Sequence, residues 1–341
     1  MTSYEAAGVD IEAGERAVAL MKDKVARSRR PEVVDDDSGF AGLFDASALL
    51  RYRRPLLATS TDGVGTKVML AQAYGKHDTI GIDLVGMVLD DLVVCGAEPL
   101  FMTDYIACGK VVPERVAEIV GGIAEGCRLA GAALVGGETA EHPGAMGPDE
   151  YDLAGAGTGV VEASAMLGPS RVRAGDVVLG LASSGVHSNG YSLVRHVLRE
   201  ASLSLDVELP ELGRPLGEEL LEPTRVYSLD CLALAGAVEV HAYAHITGGG
   251  IEGNLSRSLP GGLDALLDRS SWTPPAVFEV LAGHGRIGRR DMDRTFNLGV
   301  GMAAVVAPSA ADEAVRLLAD RGLPAWVLGE IVPGTGQARY R

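Results

Sequence analysis

Strand-like apolar runs alternate with helix-like segments from residue 55 to the end of the chain, and this alternation restricts the fold more than any other feature. In the first half we predict strands at residues 56–61, 100–107, 132–135 and 151–161, and helices at residues 79–94 and 113–129. In the second half we predict strands at residues 177–182, 240–246, 300–306 and 326–331, and helices at residues 189–200, 223–237 and 310–321. A turn-rich break at residues 168–175 separates the halves. The pattern predicts two α/β (α+β) domains, residues 1–168 and 169–341.

Charge and cysteine content exclude several classes of protein. The 341 residues include 46 acidic and 30 basic side chains, which gives a net charge of -16, and only 5% are aromatic. Such a chain repels nucleic acid and anionic membranes and lacks stacking platforms for bases. Four scattered cysteines without C-x-x-C spacing, and no apolar leader, predict reduced thiols in the cytoplasm. We expect a small-molecule substrate, no nucleic acid and no membrane.

Two glycine-framed polar loops lie in the second half, each after a strand-like run and before a helix-like segment. Residues 183–192 read SSGVHSNGYS, and residues 245–250 read HITGGG. Free backbone amides and the helix dipole favour anions at such places, so the loops predict a phosphorylated substrate. His187 could transfer a proton at a reacting atom, or it could be a structural histidine. Ser188 is a predicted N-cap of the following helix.

A polar turn follows the first predicted strand. Residues 61–67 read TDGVGTK and look like a P-loop, but Lys67 follows Thr66 and the required glycine spacing is absent. The alternative is an Asp-Gly turn at Asp62 with a solvated lysine.

Two further acidic motifs complete the first half. Asp91 shares 4-and-3 spacing with Leu84 and Val88, which predicts a carboxylate on the apolar stripe of its helix. There it should meet a metal, a cation or backbone donors, or be a paired structural acid. Residues 136–141, GGETAE, follow a predicted strand and place Glu138 and Glu141 three apart, or they form a plain polar loop. With Asp62 these acids form a possible all-oxygen site that suits magnesium.

Taken together, these segments resemble the aminoimidazole ribonucleotide synthetase family, the phosphoribosylformylglycinamidine cyclo-ligases. The resemblance extends nearly end to end and depends on many blocks in order, so chance similarity is a poor explanation. The blocks are residues 3–4, 7–11, 61–67, 77–85, 96–101, 136–141, 184–195, 247–250, 294–297 and 299–302.

The resemblance implies a two-domain subunit whose N-terminal domain contributes strands to a barrel shared in a homodimer. It implies ATP and Mg²⁺ as cofactors, and closure of formylglycinamidine ribonucleotide to aminoimidazole ribonucleotide in purine biosynthesis. ATP would phosphorylate the formyl oxygen, and the amidine nitrogen would attack that carbon and expel phosphate. This order is chemically reasonable because an amide oxygen is a poor leaving group until it is phosphorylated, and positioning dominates phosphoryl transfer.

The resemblance also implies roles for individual residues. The catalytic candidates are His187 and Asp62. The magnesium candidates are Asp62, Asp91, Glu138 and Glu141. The ATP candidates are Lys22, Lys67, Gly39, Gly42 and Thr139. The substrate candidates are Ser188, Asn189, Gly190, Thr247, Gly248 and Gly249.

The sequence departs from the family pattern at three positions. Ser38 and Ala41 stand where a glycine-rich loop usually has glycine, and Asp90 stands where asparagine is usual. The rivals with the same architecture are thiamine-monophosphate kinase, selenophosphate synthetase and formylglycinamidine synthetase. No cysteine precedes Cys95, which disfavours selenophosphate synthetase. A rival of another class is a silent nucleotide-binding regulator.

Overall fold

The structure is a computed structural model that describes residues 10–35 and 39–341. The chain divides into two compact units. The first comprises the residues up to Leu92 together with Glu98–Ala163, and the second comprises Val93–Ala97 and Ser164–Arg341. Both units mix helices and sheets, which confirms the α/β class.

The first unit contains a four-stranded sheet and two long helices packed on it. Its helices are α1 Ile11–Val25, α2 Val68–Tyr74, α3 Ile80–Val94 and α4 Pro113–Ala130. Its strands are β1 Val33–Val34, β2 Leu43–Phe44, β3 Pro55–Gly63, β4 Glu98–Cys108, β5 Ala133–Glu141 and β6 Tyr151–Glu162. The sheet order is β3-β6-β4-β5, in which only β4 and β5 run parallel, while β1 and β2 form a separate pair.

Close packing between helices and sheet forms the core of the first unit. Leu84 and Leu89 of α3 are fully buried, as is Met102 on the facing side of β4. Gly81 of α3 and Gly126 of α4 have no room for a side chain, because a β-carbon would collide with the opposite helix. The glycines therefore let the two helices approach more closely than larger residues would allow.

The second unit is built on a six-stranded sheet. Its strands are β7 Val177–Ala182, β8 Val240–His245, β9 Leu263–Leu267, β10 Val300–Val306, β11 Ala325–Pro333 and β12 Ala338–Tyr340. Its helices are α5 Tyr191–Glu200, α6 Leu216–Leu220, α7 Ser228–Ala237, α8 Gly250–Ser256, α9 Ala276–Gly285, α10 Arg289–Thr295 and α11 Ala311–Asp320. The order is β12-β9-β11-β7-β10-β8, and all pairs are antiparallel except β12 with β9.

The sheet of the second unit is buried on both faces. Along β10, Met302 and Ala304 join a cluster with Leu318 of α11, whereas Ala303 and Val305 join a cluster on the other face. Because successive strand residues point to opposite faces, a strand buried on both sides is apolar throughout. This explains why β10 appears in the sequence as an unbroken apolar run.

The observed elements differ from the predicted ones in a few places. Helix α5 begins at Tyr191 after Gly190, which has φ +83° and caps the helix without a side chain, so the predicted N-cap at Ser188 is wrong. Strand β5 extends through Glu141, so residues 136–141 belong to the strand that they were expected to follow, and the alternative of a plain polar loop is wrong. Elements α2, α6, α9, α10, β1, β2, β9 and β12 were not predicted. None of the helices in the described ranges has the length and apolar character that crossing a membrane requires.

Candidate active site

Two of the predicted acidic residues, Asp62 and Asp91, lie near the ends of β3 and α3 and are exposed. Asp62 Oδ1 accepts a hydrogen bond from the Gly63 amide at 2.8 Å. The carboxylate oxygens of both aspartates are ligands of the kind that Mg²⁺ prefers.

The buried acids of α3 are not the one predicted. Asp83 and Asp90 are 0% exposed whereas Asp91 faces outward, so the expectation that Asp91 lies on the buried stripe is wrong. Helix α3 is apolar almost all round, and the spacing alone therefore selects no single face. Lys67, expected to be solvated or to neutralise a phosphate, is also 0% exposed, and its Nζ lies 2.8 Å from Asp83 Oδ1. A phosphate contact does not fit this geometry, because it would separate a buried ion pair.

The two glutamates of residues 136–141 have different surroundings. Glu138 is exposed on β5. Glu141 accepts the amide hydrogens of Asp10 and Val111 on its two carboxylate oxygens, at 2.8 and 2.6 Å. Glu141 thus holds the start of α1 in place, and these two hydrogen bonds compete with the predicted magnesium role. Among the residues described, no three or more His, Cys, Asp or Glu side chains form a group that could hold a metal ion.

A pocket of about 360 Å³ lies between α1 and the strands β4 and β5. Its lining is largely apolar and includes Ala17, Val18 and Met21, while Asp104, Glu138 and Thr139 add polar side chains. Burial raises the pKa of the Asp104 carboxyl to about 7. An apolar pocket with a few polar groups is the usual form of a small-molecule site. The predicted ATP residue Thr139 thus lines a real pocket, and Asp104 joins it unpredicted.

The other predicted ATP residues lie on α1 and on the segment before β2. Lys22 is exposed on α1. Gly39 has φ +67°, a left-handed conformation that favours glycine. Gly42 passes so close to β5 that a β-carbon would overlap the carbonyl oxygen of Val135. Ser38 lies outside the described residues.

The topology of the second unit brings the two glycine loops to one edge of its sheet. Strands β7 and β8 both pair antiparallel with β10, so they run in the same direction and end at the same edge. Ala182 at the end of β7 pairs with Val300, and His245 at the end of β8 pairs with Met302. Ligands of open α/β sheets commonly bind outside the carboxyl ends of strands that run in the same direction.

The two loops lie next to each other. Asn189 Oδ1 of the first loop is 3.5 Å from the position that a β-carbon on Gly248 would take. Gly248 and Gly249 are exposed, and Gly190 is half-buried. Thr247 donates its hydroxyl hydrogen to Asn254 Oδ1 at 3.2 Å. The structure therefore brings the two predicted substrate loops together at Asn189 and Gly248.

His187 and Ser188 lie deeper in the first loop. His187 is 2% exposed, has φ +64°, and accepts a hydrogen bond on Nε2 from the Ser184 amide at 3.2 Å. The neutral ring therefore carries its proton on Nδ1. Ser188 is 7% exposed, and its hydroxyl oxygen is 3.0 Å from that of Thr224. The hydroxyl of Ser188 is thus used inside the unit rather than displayed on the loop surface.

Comparison with known proteins agrees with these features. Residues 44–161 match the N-terminal domain of AIR synthase related proteins, and residues 173–340 match the C-terminal domain. A phosphoribosylformylglycinamidine cyclo-ligase of Anaeromyxobacter sp. is 52% identical over 98% of this chain and 97% of its own length. The chain belongs to the phosphoribosylformylglycinamidine cyclo-ligase family. Two further cyclo-ligases support this membership. That of Geobacillus thermodenitrificans is 50% identical over 98% of the chain and 96% of its own length. That of Myxococcus xanthus is 49% identical over 99% of the chain and 98% of its own length.

Solved structures show that this chain shares its fold with other proteins. A thiamine-monophosphate kinase from Stenotrophomonas maltophilia superposes with a TM-score of 0.68 at 20% identity, covering 94% of this chain and 95% of the kinase. The hydrogenase maturation protein HypE in complex with ATP has a TM-score of 0.65 at 16% identity, covering 96% and 90%. Identities this low carry the fold alone.

Two buried asparagines near the loops were not among the predicted site residues. Asn297 is 3% exposed and Asn254 is 4% exposed, and the side chain of each hydrogen-bonds to one of the glycine loops. Asn297 lies within the block 294–297 that carried the family resemblance, so the signal for it was present. Asn254 lies four residues after Gly250 and had no such signal.

Proposed function

We propose that this chain closes the imidazole ring of formylglycinamidine ribonucleotide at the expense of ATP, the reaction that its cyclo-ligase relatives are named for. The observation that carries the proposal is a sequence identity of about 50% to these relatives over nearly the full length of the chain. The adjacent glycine loops of the second unit support it, because they offer one surface to a phosphorylated substrate.

The chemistry requires activation of an amide oxygen. The γ-phosphoryl group of ATP passes to the formyl oxygen, and ADP leaves. The amidine nitrogen then attacks the formyl carbon, the carbon–oxygen bond breaks, phosphate departs and the nitrogen loses a proton. The protein's task in such a sequence is mainly to position the reactants and neutralise charge.

We assign ATP to the first unit. The apolar pocket beside α1 suits a nucleoside, with Asp104, Glu138 and Thr139 as its polar side chains. Exposed Lys22 supplies a cation for the phosphates, and Gly39 and Gly42 shape the segment before β2. HypE, which shares the fold, has been solved with ATP, which supports a nucleotide site in this architecture.

Magnesium accompanies ATP in this proposal. Mg²⁺ is usually bound through one or two carboxylates together with substrate phosphates, and exposed Asp62, Asp91 and Glu138 are the candidates that remain. When bound, the ion would neutralise phosphate oxygens. Asp62 stays a predicted contributor to the chemistry in that capacity.

The substrate phosphate belongs to the glycine loops of the second unit. Asn189, Gly190, Gly248 and Gly249 provide the surface, and His187 lies buried beneath the first loop. We assign His187 to the proton that leaves the amidine nitrogen, which its Nε2 would accept in exchange for the Ser184 amide hydrogen, because imidazole exchanges protons near neutral pH. His187→Ala with unchanged turnover would contradict that role alone.

A homodimer forms through the open face of the first unit's sheet. The exposed residues on that face are small or uncharged along its middle, including Leu57, Thr61, Ala154, Ala156 and Tyr105. A contiguous face of this kind favours association, and a second copy presents an identical one. Cytoplasmic location is part of the proposal, because none of the four cysteines, all of which lie in the described residues, forms a disulfide.

The direct test is an assay of the purified chain with formylglycinamidine ribonucleotide, ATP and Mg²⁺. We expect ADP and aminoimidazole ribonucleotide in equal amounts. Thiamine monophosphate serves as the control substrate, and its phosphorylation would favour the kinase rival. ATP binding without substrate-dependent ADP release would favour the silent regulator and contradict the proposal.

A further inference from the structure

One short segment contacts both glycine loops of the second unit. Residues 293–299, which we term the bridge segment, join the end of α10 to the start of β10. Strand β10 lies between β7 and β8, so the bridge segment enters the sheet between the two strands that end in the loops. The Ser183 amide donates to the Gly299 carbonyl at 3.0 Å, which ties the first loop to the bridge at its base.

Both ends of the Asn297 side-chain amide form hydrogen bonds, with the first loop and with the backbone of the bridge segment. Its Nδ2 donates to the carbonyl oxygens of Gly185 and Val186, at 2.9 and 3.2 Å. Its Oδ1 accepts from the Ser183 hydroxyl at 3.1 Å and from the Gly299 amide at 2.8 Å. The two carbonyls precede His187, so Asn297 fixes the peptide that leads into this left-handed residue.

The bridge segment also explains why the loops need glycine. A β-carbon on Gly190 would overlap the ring of Phe296. A β-carbon on Gly250, in the second loop, would overlap the carbonyl oxygen of Asp293. The Gly249 amide donates to the Arg294 carbonyl at 3.1 Å. Both loops are therefore shaped against the same few residues.

Asn254 of α8 also holds the second loop. Its Nδ2 lies within hydrogen-bond distance of the carbonyl oxygens of Thr247, Gly248 and Gly250, at 3.2, 3.3 and 2.9 Å. Its Oδ1 accepts the Thr247 hydroxyl hydrogen. Because these carbonyls turn toward Asn254, the outer surface of the loop is not lined by their negative ends.

We propose that Asn297 and Asn254 are positioning residues that hold the two glycine loops as one substrate-binding surface, coupled through the bridge segment. This inference rests on the proposed function, since the ligand of the surface is taken to be the phosphorylated substrate. Neither loop has its binding geometry without the other's support.

The test compares Asn297→Asp and the milder Asn297→Ser with a matched control in the same unit. The control is Asp264→Asn, because Asp264 is also buried and also holds a loop, accepting the amides of Thr335 and Gln337 at 2.6 and 2.9 Å. Each protein is assayed for kcat, for the KM of formylglycinamidine ribonucleotide, for the KM of ATP and for thermal midpoint.

We expect both Asn297 variants to raise the KM of the ribonucleotide by about tenfold or more, because buried carbonyls lose their donor. The KM of ATP should stay within about twofold, since a split of this kind marks loss of contacts to one substrate. Asp264→Asn should lower the thermal midpoint without changing either KM. If the Asn297 variants behave like Asp264→Asn, their role is only structural and the inference is overturned.

A double-mutant cycle tests the coupling. If the loops form one surface, Asn254→Ser combined with Asn297→Ser should raise the ribonucleotide KM by less than the product of the single effects. If the KM effect of the double variant equals the product of the two single effects, the loops are independent and the coupling is overturned. Wild-type turnover separates the two levels: without it the proposed function fails, whereas normal wild-type turnover with unchanged variant KM values contradicts only this inference.

Discussion

Lys67 and Asp83 form an ion pair that is completely enclosed within the first unit. Lys67 Nζ lies 2.8 Å from Asp83 Oδ1, and both side chains are 0% exposed. A buried charge without its partner is far less stable than the pair, because the lost attraction no longer offsets desolvation. The residue predicted to meet a phosphate therefore has a strong influence on stability instead.

Replacing one partner of this pair should be costly. We expect Lys67→Met to lower the free energy of unfolding by about 3–5 kcal/mol, and Lys67→Met with Asp83→Leu to recover much of that loss. Urea unfolding measures both. The control is Lys76→Met, whose partner Asp78 is 60% exposed, and there the change should be below about 1 kcal/mol. Equal losses at both lysines would contradict the structural assignment.

The segment before β2 contains two glycines that should respond differently to alanine. Gly42→Ala places a β-carbon against the Val135 carbonyl, so the segment must move away from β5. Gly39→Ala meets no neighbour and should cost only about 1–2 kcal/mol of left-handed backbone strain. We expect the KM of ATP to rise about tenfold for Gly42→Ala and less for Gly39→Ala. Similar KM values in both variants would argue against a role for the Gly42 contact.

Two acids that the sequence grouped together should behave as different kinds of residue. Asp91→Asn should raise the Mg²⁺ concentration for half-maximal activity by about tenfold, because an exposed carboxylate oxygen is lost. Glu141→Gln should lower the thermal midpoint with little change in the Mg²⁺ requirement, because its carboxylate binds the amides of Asp10 and Val111. A magnesium titration of each variant, with melting curves alongside, distinguishes them. A larger magnesium effect at Glu141 would reverse our assignment.

Asp104 should make stability depend on pH. Its pKa is about 7 in the folded chain, above the ordinary value of 3.8, because burial disfavours the charged carboxylate. Between these values the unfolded chain loses the proton first, so stability falls as pH rises toward 7 and is level above it.

Asp104→Asn should remove this slope, with a gain on the order of a few kcal/mol at pH 8 and little change near pH 4. Urea unfolding at several pH values measures the effect, and Asp149→Asn is the control because that side chain is 94% exposed. An equal pH dependence in wild type and Asp104→Asn would show that the carboxyl is not buried in solution.

The open sheet face of the first unit should control oligomeric state. Ala156→Asp places a charge in the middle of that face, opposite Thr61 and Thr103. We expect the mass by light scattering to fall from dimer to monomer, since an unpaired charge in an interface is costly. Leu129→Asp, at an exposed apolar residue of α4, should leave the mass unchanged. A monomeric wild type, or a dimeric Ala156→Asp, would contradict the proposed interface.

The sequence was sufficient for elements with a clear period and insufficient where polar residues enter regular structure. The predicted strand at residues 300–306 coincides with β10, because an apolar run between turns has few alternatives. The predicted strand at residues 132–135 is shorter than β5, because glycine and glutamate have low strand propensity. In the structure, pairing with β4 extends β5 to Glu141. Pairing with a neighbour outweighed the local preference.

The site residues show the same limit. Local motifs identified the glycine loops, but their adjacency follows from β7 and β8 flanking β10, which no local motif encodes. The period of α3 could not separate Asp91 from Asp83, because a helix covered on most sides has no single apolar stripe. Asn254 was missed because its value lies entirely in the carbonyls that the fold turns toward it.

The second unit is assembled from two separate stretches of chain. Val93, 0% exposed, belongs to the same buried cluster as Leu181 and Tyr227, although it precedes them by a long stretch that forms the other unit. A gene fragment beginning at residue 164 would encode a fold with one of its interior side chains missing. The two halves of this protein therefore cannot be exchanged independently of each other. A replacement for residues 164–341 must therefore pack correctly around Val93–Ala97, which come from the preceding part of the chain.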